Sequence, residues 1–293
     1  MSDAIFGRLI TAMVTPFDEQ GNVDYDRAAQ LADYLVDHQR NDALVINGTT
    51  GESPTTSDEE KTELVRVVKQ TLKDRAHVIA GCGTNDTSHS AYLCKQAAQA
   101  GADGLLIVSP YYSLRPEDAM ERHFTALAST TDLPIMLYDI PHRTGRALSP
   151  ELIMRLSAHP SIVAVKDAKN DLTSSARIIA ESDLAYYAGD DAKILPMLSV
   201  GGVGLVGTST HFTGRATYDL IEAWDRGDSA KALDIYQRLL PIYTGVFATQ
   251  GVMLVKAGLA HRNFPVGGVR MPLLPADSCQ SARFAELLDS VQL

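Results

Sequence analysis

Cysteine is scarce in this chain. Three thiols, Cys82, Cys94 and Cys279, form an odd and scattered set, which excludes a disulfide framework and fits a reducing compartment. Positive charge is also short: 26 Lys and Arg stand against 36 Asp and Glu, a formal net charge of −10. That sign argues against nucleic acid or an anionic membrane as a partner. A cation that meets an acidic substrate therefore has to be local. No apolar run approaches the length of a bilayer span. The N-terminus lacks a basic segment followed by an apolar run, so no signal peptide is read and the expected location is the cytoplasm. The eight histidines show no His-Glu-x-x-His or comparable spacing, which leaves no metal site legible. Gly202-Val-Gly204-Leu-Val-Gly207 matches the dinucleotide fingerprint in letters only. It runs out of a helix into a strand, whereas the phosphate-binding turn needs a strand followed by a helix N-terminus.

What the chain has in quantity is alternation. Short apolar runs take turns with stretches whose apolar residues recur at helical spacing. Strands are read at Leu9–Val14, Ala43–Ile46, His77–Gly81, Gly104–Val108, Pro134–Tyr138, Ile162–Val165, Leu184–Ala188 and Gly204–Gly207. Between them, Ser57-x-x-Glu60 spells a capping box for a helix reaching about Leu72. Pro116 and Ser149-Pro150-Glu151 mark two further helix starts. Eight strand-helix units within about 225 residues have the count and length of a (β/α)8 TIM barrel, of class α/β. A doubly wound sheet usually has fewer strands and comes second. From Gly227 onward no strand signal remains. Leu233, Tyr236, Leu239 and Leu240 make one helical stripe, Pro241 interrupts, and Phe284, Leu287, Leu288 and Val291 make another. The expected organisation is a catalytic barrel over 1–226 and a helical extension over 227–293 packed on it.

In such a barrel the reacting groups gather at the C-terminal ends of the strands. Thr49, Thr50, Gly51 and Glu52 follow the second strand, and Tyr111 and Tyr112 follow the fourth. Tyr138 ends the fifth, Arg143 comes five residues later, Lys166 stands where the sixth ends, and Gly189, Asp190 and Asp191 follow the seventh. A lysine at the end of a buried strand pairs with an acid such as Asp167, snorkels outward, or has its pKa depressed so that the amine attacks a carbonyl. Each other residue has an ordinary reading when taken alone. A strand-end tyrosine is most often a core residue with a wet hydroxyl, Thr-Thr-Gly is usually a turn, and a loop arginine is usually a surface cation. Their joint placement around Lys166 favours a reaction site. There the amine would form a Schiff base with a ketone, and hydroxyl groups nearby would carry protons. Backbone N–H groups with Thr49 and Thr50 would hold a carboxylate beside that ketone, as in pyruvate, and Arg143 would grip an acid group on a second substrate. The acidic loop after the seventh strand argues against a phosphorylated substrate.

Five segments, in this order and spacing, resemble the dihydrodipicolinate synthase family. They are Gly48-Thr-Thr-Gly-Glu-Ser53, Tyr111-Tyr112, Leu137-Tyr-Asp-Ile-Pro-His-Arg-Thr-Gly145, Val165-Lys-Asp-Ala168 and Ala188-Gly-Asp-Asp191. The resemblance runs from about Ile5 to Pro275, and the last helices match poorly. It implies a lyase-type enzyme of lysine and diaminopimelate biosynthesis that condenses pyruvate with L-aspartate 4-semialdehyde, with no metal or nucleotide cofactor. Lys166 would be the Schiff-base lysine, and Tyr138 the central proton donor and acceptor, relayed through Thr50 and Tyr112. Thr49, Thr50, Gly189 and Val206 match positions around pyruvate, and Arg143 matches the arginine for the semialdehyde carboxylate. Tyr112 would enter the neighbouring subunit's site, so a dimer is implied, usually doubled to a homotetramer.

The chain also departs from the family. Lysine-inhibited members carry histidines and a glutamate where this sequence has Asp58, Lys61 and His89, so weak or absent lysine feedback is expected. Two rivals stay open at this point. One is N-acetylneuraminate lyase or a 2-keto-3-deoxy-sugar-acid aldolase on the same scaffold, and the other is a non-catalytic barrel that binds a keto acid.

Overall fold

The computed structural model describes residues 4–291; Met1 to Asp3 and Gln292-Leu293, the outer ends of the two expected spans, lie outside the described residues. Eight strands alternate with helices. They are β1 (Leu9–Ala12), β2 (Ala43–Ile46), β3 (His77–Gly81), β4 (Gly104–Val108), β5 (Ile135–Asp139), β6 (Ile162–Asp167), β7 (Ala185–Ala188) and β8 (Gly204–Gly207). All pair in parallel with their sequence neighbours, and β8 pairs with β1 to close the barrel. The helices are α1 (Tyr25–Asp33), α2 (Asp58–Leu72), α3 (Thr87–Gln99), α4 (Glu117–Ala128), α5 (Pro141–Thr144), α6 (Pro150–Leu156), α7 (Leu172–Glu181), α8 (Ile194–Ser199) and α9 (Thr210–Asp225). Beyond them come α10 (Ser229–Gly245), α11 (Gly251–His261) and α12 (Ser278–Ser290).

Local chemistry starts many of these helices. The Ser57–Glu60 capping box forms with both reciprocal bonds. Asp86 accepts from Ser88 and His89, and Ser149 accepts from Leu152. Such side chains satisfy N–H groups that the first helical turn leaves free.

Alternation along each strand divides the core in two. Leu9, Leu44, Val78, Leu105 and Val165 face the helices in the larger cluster. Ile10, Val45, Ile79, Leu106, Met136, Ala164 and Val206 fill the barrel interior. Phe6 joins the interior cluster and packs so close to Gly104 that a Cβ there would lie 2.5 Å from its ring. The Tyr187 hydroxyl donates to the Gly7 carbonyl at 2.9 Å.

One strand limit differs from the sequence reading in a way that matters. β6 runs past Lys166 to Asp167, so Lys166 is a strand residue in register with Tyr138 and Tyr187. Asp167 points to the opposite face. There its carboxylate accepts from the Lys169 N–H at 2.8 Å and the Ser175 hydroxyl at 2.5 Å. Asp167 is therefore engaged on the helix side of the sheet, away from Lys166.

The extension also departs from expectation. Pro241 lies inside α10 and does not end it. Proline costs a helix interior about 3 kcal/mol, but Leu239, Ile242 and Tyr243 on either side are fully buried, and Tyr243 bonds Thr217 of α9 at 2.8 Å. Tertiary packing outweighs the local penalty. The buried face is Ala232, Ile235, Leu239, Ile242 and Tyr243; Leu233 is 45% exposed, so the expected stripe was out of phase by a fraction of a turn. α11 was not anticipated at all, because its apolar residues surround the helix. Phe284 of α12 meets Phe212 of α9 edge to face at 5.8 Å, so the extension and the barrel share packing.

His211 at the start of α9 is a further tie. Its Nδ1–H donates to Thr208 O at 2.7 Å, and Nε2 accepts from the Val14 N–H at 3.3 Å. Burial pushes its pKa down from 6.5 to about 4. The unfolded chain thus takes up this proton first, and stability should be lost as pH falls from about 6.5 to about 4, by up to about 3 kcal/mol. Melting temperatures across that window should fall less steeply in His211→Gln than in the wild type, although the variant melts lower at neutral pH.

Candidate active site

Lys166 and Tyr138 are register partners on β6 and β5, both turned inward at the C-terminal end of the barrel. The Lys166 Nζ stands 4.4 Å from the centre of the Tyr138 ring. Burial lowers the lysine from 10.5 to about 8, with Arg143 adding to the shift and Asp191 opposing it. Lys166 is only 5% exposed, and no carboxylate touches its ammonium closely enough to form an ion pair among the described residues. The Tyr138 phenol is pushed the other way, to about 12, by burial against the opposing influence of Arg143 and Thr49. The amine is thus biased toward its nucleophilic form and the phenol toward its proton-bearing form.

Asp191 supplies a countercharge to Lys166 from a fixed position. Its carboxylate is fully buried and accepts from the Thr208 N–H, the Ser209 N–H at 2.8 Å and the Ser209 hydroxyl at 2.6 Å. Those bonds tie the loop after β7 to the end of β8.

The loop after β2 forms the facing bank. Gly81 lets it approach β3, since a Cβ there would lie 2.3 Å from Asn47 O. Thr49 lines both cavities described below together with Tyr138, whereas the Thr50 hydroxyl faces Thr208 Oγ1 at 3.4 Å. Thr50, expected in the relay from Tyr138, thus has its hydroxyl beside that of Thr208 in this structure. The two neighbours differ in surroundings because they follow each other in a tight turn, a distinction that the Thr-Thr string does not carry.

A cavity of about 560 Å³ is lined by Thr49, Thr50, Tyr138, Arg143, Lys166 and Gly189. A second, of about 360 Å³, shares Thr49, Tyr138 and Arg143 and extends toward Ser53, Tyr111 and Leu273. Gly189 donates to Asp167 O at 2.7 Å, and a Cβ there would crowd that carbonyl at 2.9 Å. Val206 is packed into the barrel interior instead of lining the cavity. Tyr112 also stays outside its own chain's cavity: it is 90% exposed, with φ of +74°. Arg143, on α5, donates to Gln250 Oε1 at 3.1 Å.

Sequence reasoning missed the whole contribution of the extension. Gln250, Tyr243, Thr244 and Thr249 line the cavities, and Gln250 is the N-cap of α11. Glutamine and threonine in a loop carry no positional signal, and α11 itself was unread. Among the described residues no group of three or more His, Cys, Asp or Glu could hold a metal ion.

An amine with a pKa of about 8 is about one-tenth neutral at pH 7, against a few parts in ten thousand for an ordinary lysine. Trapping a small keto acid with borohydride should therefore label Lys166 ahead of the surface lysines. The labelling rate should rise with pH through about 8 and level off above it; peptide mapping by mass spectrometry reads the site.

The residue pattern of the dihydrodipicolinate synthetase family matches residues 5–291. The match continues through α12, where the sequence reading had found little resemblance. A 4-hydroxy-tetrahydrodipicolinate synthase of Cutibacterium acnes is 54% identical over 293 residues, covering 100% of both chains. One of Acidothermus cellulolyticus is 54% identical over 283 residues, 97% of this chain and 92% of that one. Among solved structures, a dihydrodipicolinate synthase from Bacillus anthracis superposes with a TM-score of 0.96 at 38% identity, covering 100% of both chains. The enzyme from Cyanidioschyzon merolae with lysine bound also reaches 0.96 at 38% identity, over 98% of this chain and 99% of that one. Fold, strand-end chemistry and full-length similarity agree, and the chain belongs to the dihydrodipicolinate synthetase family.

Proposed function

We propose that this protein acts as a 4-hydroxy-tetrahydrodipicolinate synthase, condensing pyruvate with L-aspartate 4-semialdehyde. The observation that carries the reading is the desolvated Lys166 amine beside the Tyr138 phenol, with Arg143 at the same cavity. Lys166 Nζ attacks the pyruvate ketone, water leaves, and a protonated imine remains. That imine is the electron sink, so the carbon chemistry calls for no metal or nucleotide. Loss of a methyl proton gives an enamine, whose carbon attacks the aldehyde. The amino group that the semialdehyde carries then displaces the Lys166 amine from the imine and closes the ring. Tyr138 passes protons at each transfer, with Thr49 as its neighbour. Thr50 and Gly189 border the pyruvate carboxylate, and Arg143 receives the carboxylate of the semialdehyde.

The arginine favours the synthase over the sugar-acid aldolases, whose substrates present hydroxyl groups in place of that acid. Tyr112 is exposed because its place is in a second copy's site, and the assembly is a dimer doubled to a tetramer. Among the described residues no helix is long and apolar enough to cross a membrane.

Purified protein given both substrates, with dihydrodipicolinate reductase and NADPH as the readout, should consume NADPH only when both are present. Lys166→Ala should lower turnover by about three orders of magnitude or more, and near-normal turnover would exclude the covalent route. Arg143→Ala should raise the KM for the semialdehyde about ten- to a hundredfold, as for a lost charge-assisted contact, and leave pyruvate trapping on Lys166 intact.

Feedback by lysine should be weak or absent. His89 Nε2 lies 2.9 Å from an Asp58 oxygen, and the buried Lys61 ammonium donates to Thr56 O. These side chains are engaged with each other or with backbone, and Lys61 adds a cation where the effector would bring its own. Turnover should stay unchanged in sub-millimolar lysine; inhibition in that range would refute the assignment.

A further inference from the structure

A buried ion pair stands behind the loop that carries Thr49. Glu52 Oε1 lies 2.8 Å from Lys256 Nζ, with the two side chains 1% and 4% exposed. The other Glu52 oxygen accepts the Arg270 N–H at 2.8 Å, and Lys256 also donates to Gly268 O. Glu52 has φ of +57°, a left-handed conformation that a residue with a Cβ adopts at a cost. The surroundings are built to match. Lys256 and Arg270 lie 4.2 and 4.4 Å from the centre of the Phe17 ring. Arg270 grips the Glu60 carboxylate at 2.7 and 2.6 Å, and the Thr15 hydroxyl donates to Gly51 O at 2.6 Å.

Stability alone does not account for such a pair. Well-packed apolar residues of similar volume commonly hold a fold as firmly as a buried pair of charges does. What the charges add is a defined position. The Glu52 N–H donates to Thr49 O at 3.2 Å, and the Thr55 hydroxyl donates to Glu52 O at 3.0 Å. Anchoring the Glu52 carboxylate therefore anchors the carbonyl of Thr49, three residues back, and Thr49 lines the same cavities as Tyr138.

We propose that Glu52 and Lys256 are positioning residues for the reaction. Their ion pair ties the β2–α2 loop to α11 and holds Thr49 beside Tyr138 while protons move at the imine. Glu52 borders the smaller cavity with its carboxylate already engaged by Lys256 and the Arg270 N–H, and both residues act through Thr49. The assignment rests on the Schiff-base reading above.

The decisive variant is the double substitution Glu52→Gln with Lys256→Met, which removes both charges and leaves no unpaired ion. Its melting temperature should stay close to that of the wild type. Exchange of the pyruvate methyl protons in deuterated water, followed by NMR without the second substrate, reports enamine formation alone. That exchange and kcat should fall together, by up to about a hundredfold, as expected for a catalytic group displaced by about 1 Å. The KM for pyruvate and the final yield of borohydride-trapped adduct on Lys166 should stay unchanged. The single Glu52→Gln, which keeps shape and an acceptor oxygen, should lose roughly tenfold in both rates, by the same displacement argument. Wild-type exchange and turnover in either folded variant would overturn the proposal. So would loss of the trapped adduct along with exchange, which would place the defect at imine formation, or a double variant that fails to fold, which would make the pair structural. Absence of a trapped adduct in the wild type would instead sink the Schiff-base reading itself.

Discussion

The site depends on keeping water away from one amine. An ammonium group in water is far too stable to give up its proton near neutral pH, and a lysine on the surface of this protein would do little to a ketone. Lys166 is different because a parallel strand flanked by Tyr138 and Tyr187 holds it inside the barrel. The sealed N-terminal end, with Phe6 against Gly104 and Tyr187 bonded to Gly7, leaves the opposite end as the way in. Asp191 tempers the effect from a distance without pairing. The charged form is disfavoured but not abolished, which suits a group that must be neutral to attack and cationic as the imine.

Around that amine the protein sorts its hydroxyls by small differences of backbone direction. Thr49 lines both cavities with Tyr138 and the Thr50 hydroxyl turns to Thr208, although they are identical and adjacent. Asp167 and Lys166 are adjacent too, and the pleat sends one to the helices and the other to the cavity. Period-two alternation thus does chemical as well as structural sorting.

Much of this is legible in the sequence alone. Runs such as Gly104-Leu-Leu-Ile-Val108 announce buried parallel strands, and eight of them with intervening helices leave few architectures open. Lys166, Tyr138 and Arg143 stood out because amine, phenol and guanidinium are conspicuous at strand ends. Gln250 did not, since an uncharged side chain in a loop has no pattern to betray it. Thr49 and Thr50 could not be told apart, because their surroundings depend on turn geometry. Pro241 misled for a related reason: its helix is held by contacts with α9, which are distant in sequence. In each case the missing information was tertiary.

The closure of the sheet has a consequence for how the molecule comes into being. β1 is complete at residue 12, yet its second neighbour is β8, which begins at Gly204. On the ribosome an apolar edge therefore waits for most of the chain to be made, roughly ten seconds or more at common elongation rates. Exposed strand edges recruit other strands, so the nascent chain passes through a stage in which it is vulnerable to aggregation or to capture by a chaperone. The cavity is finished later still, when Gln250 and Lys256 emerge. A truncated barrel would retain its nucleophile but lack the far wall against which the substrates are held.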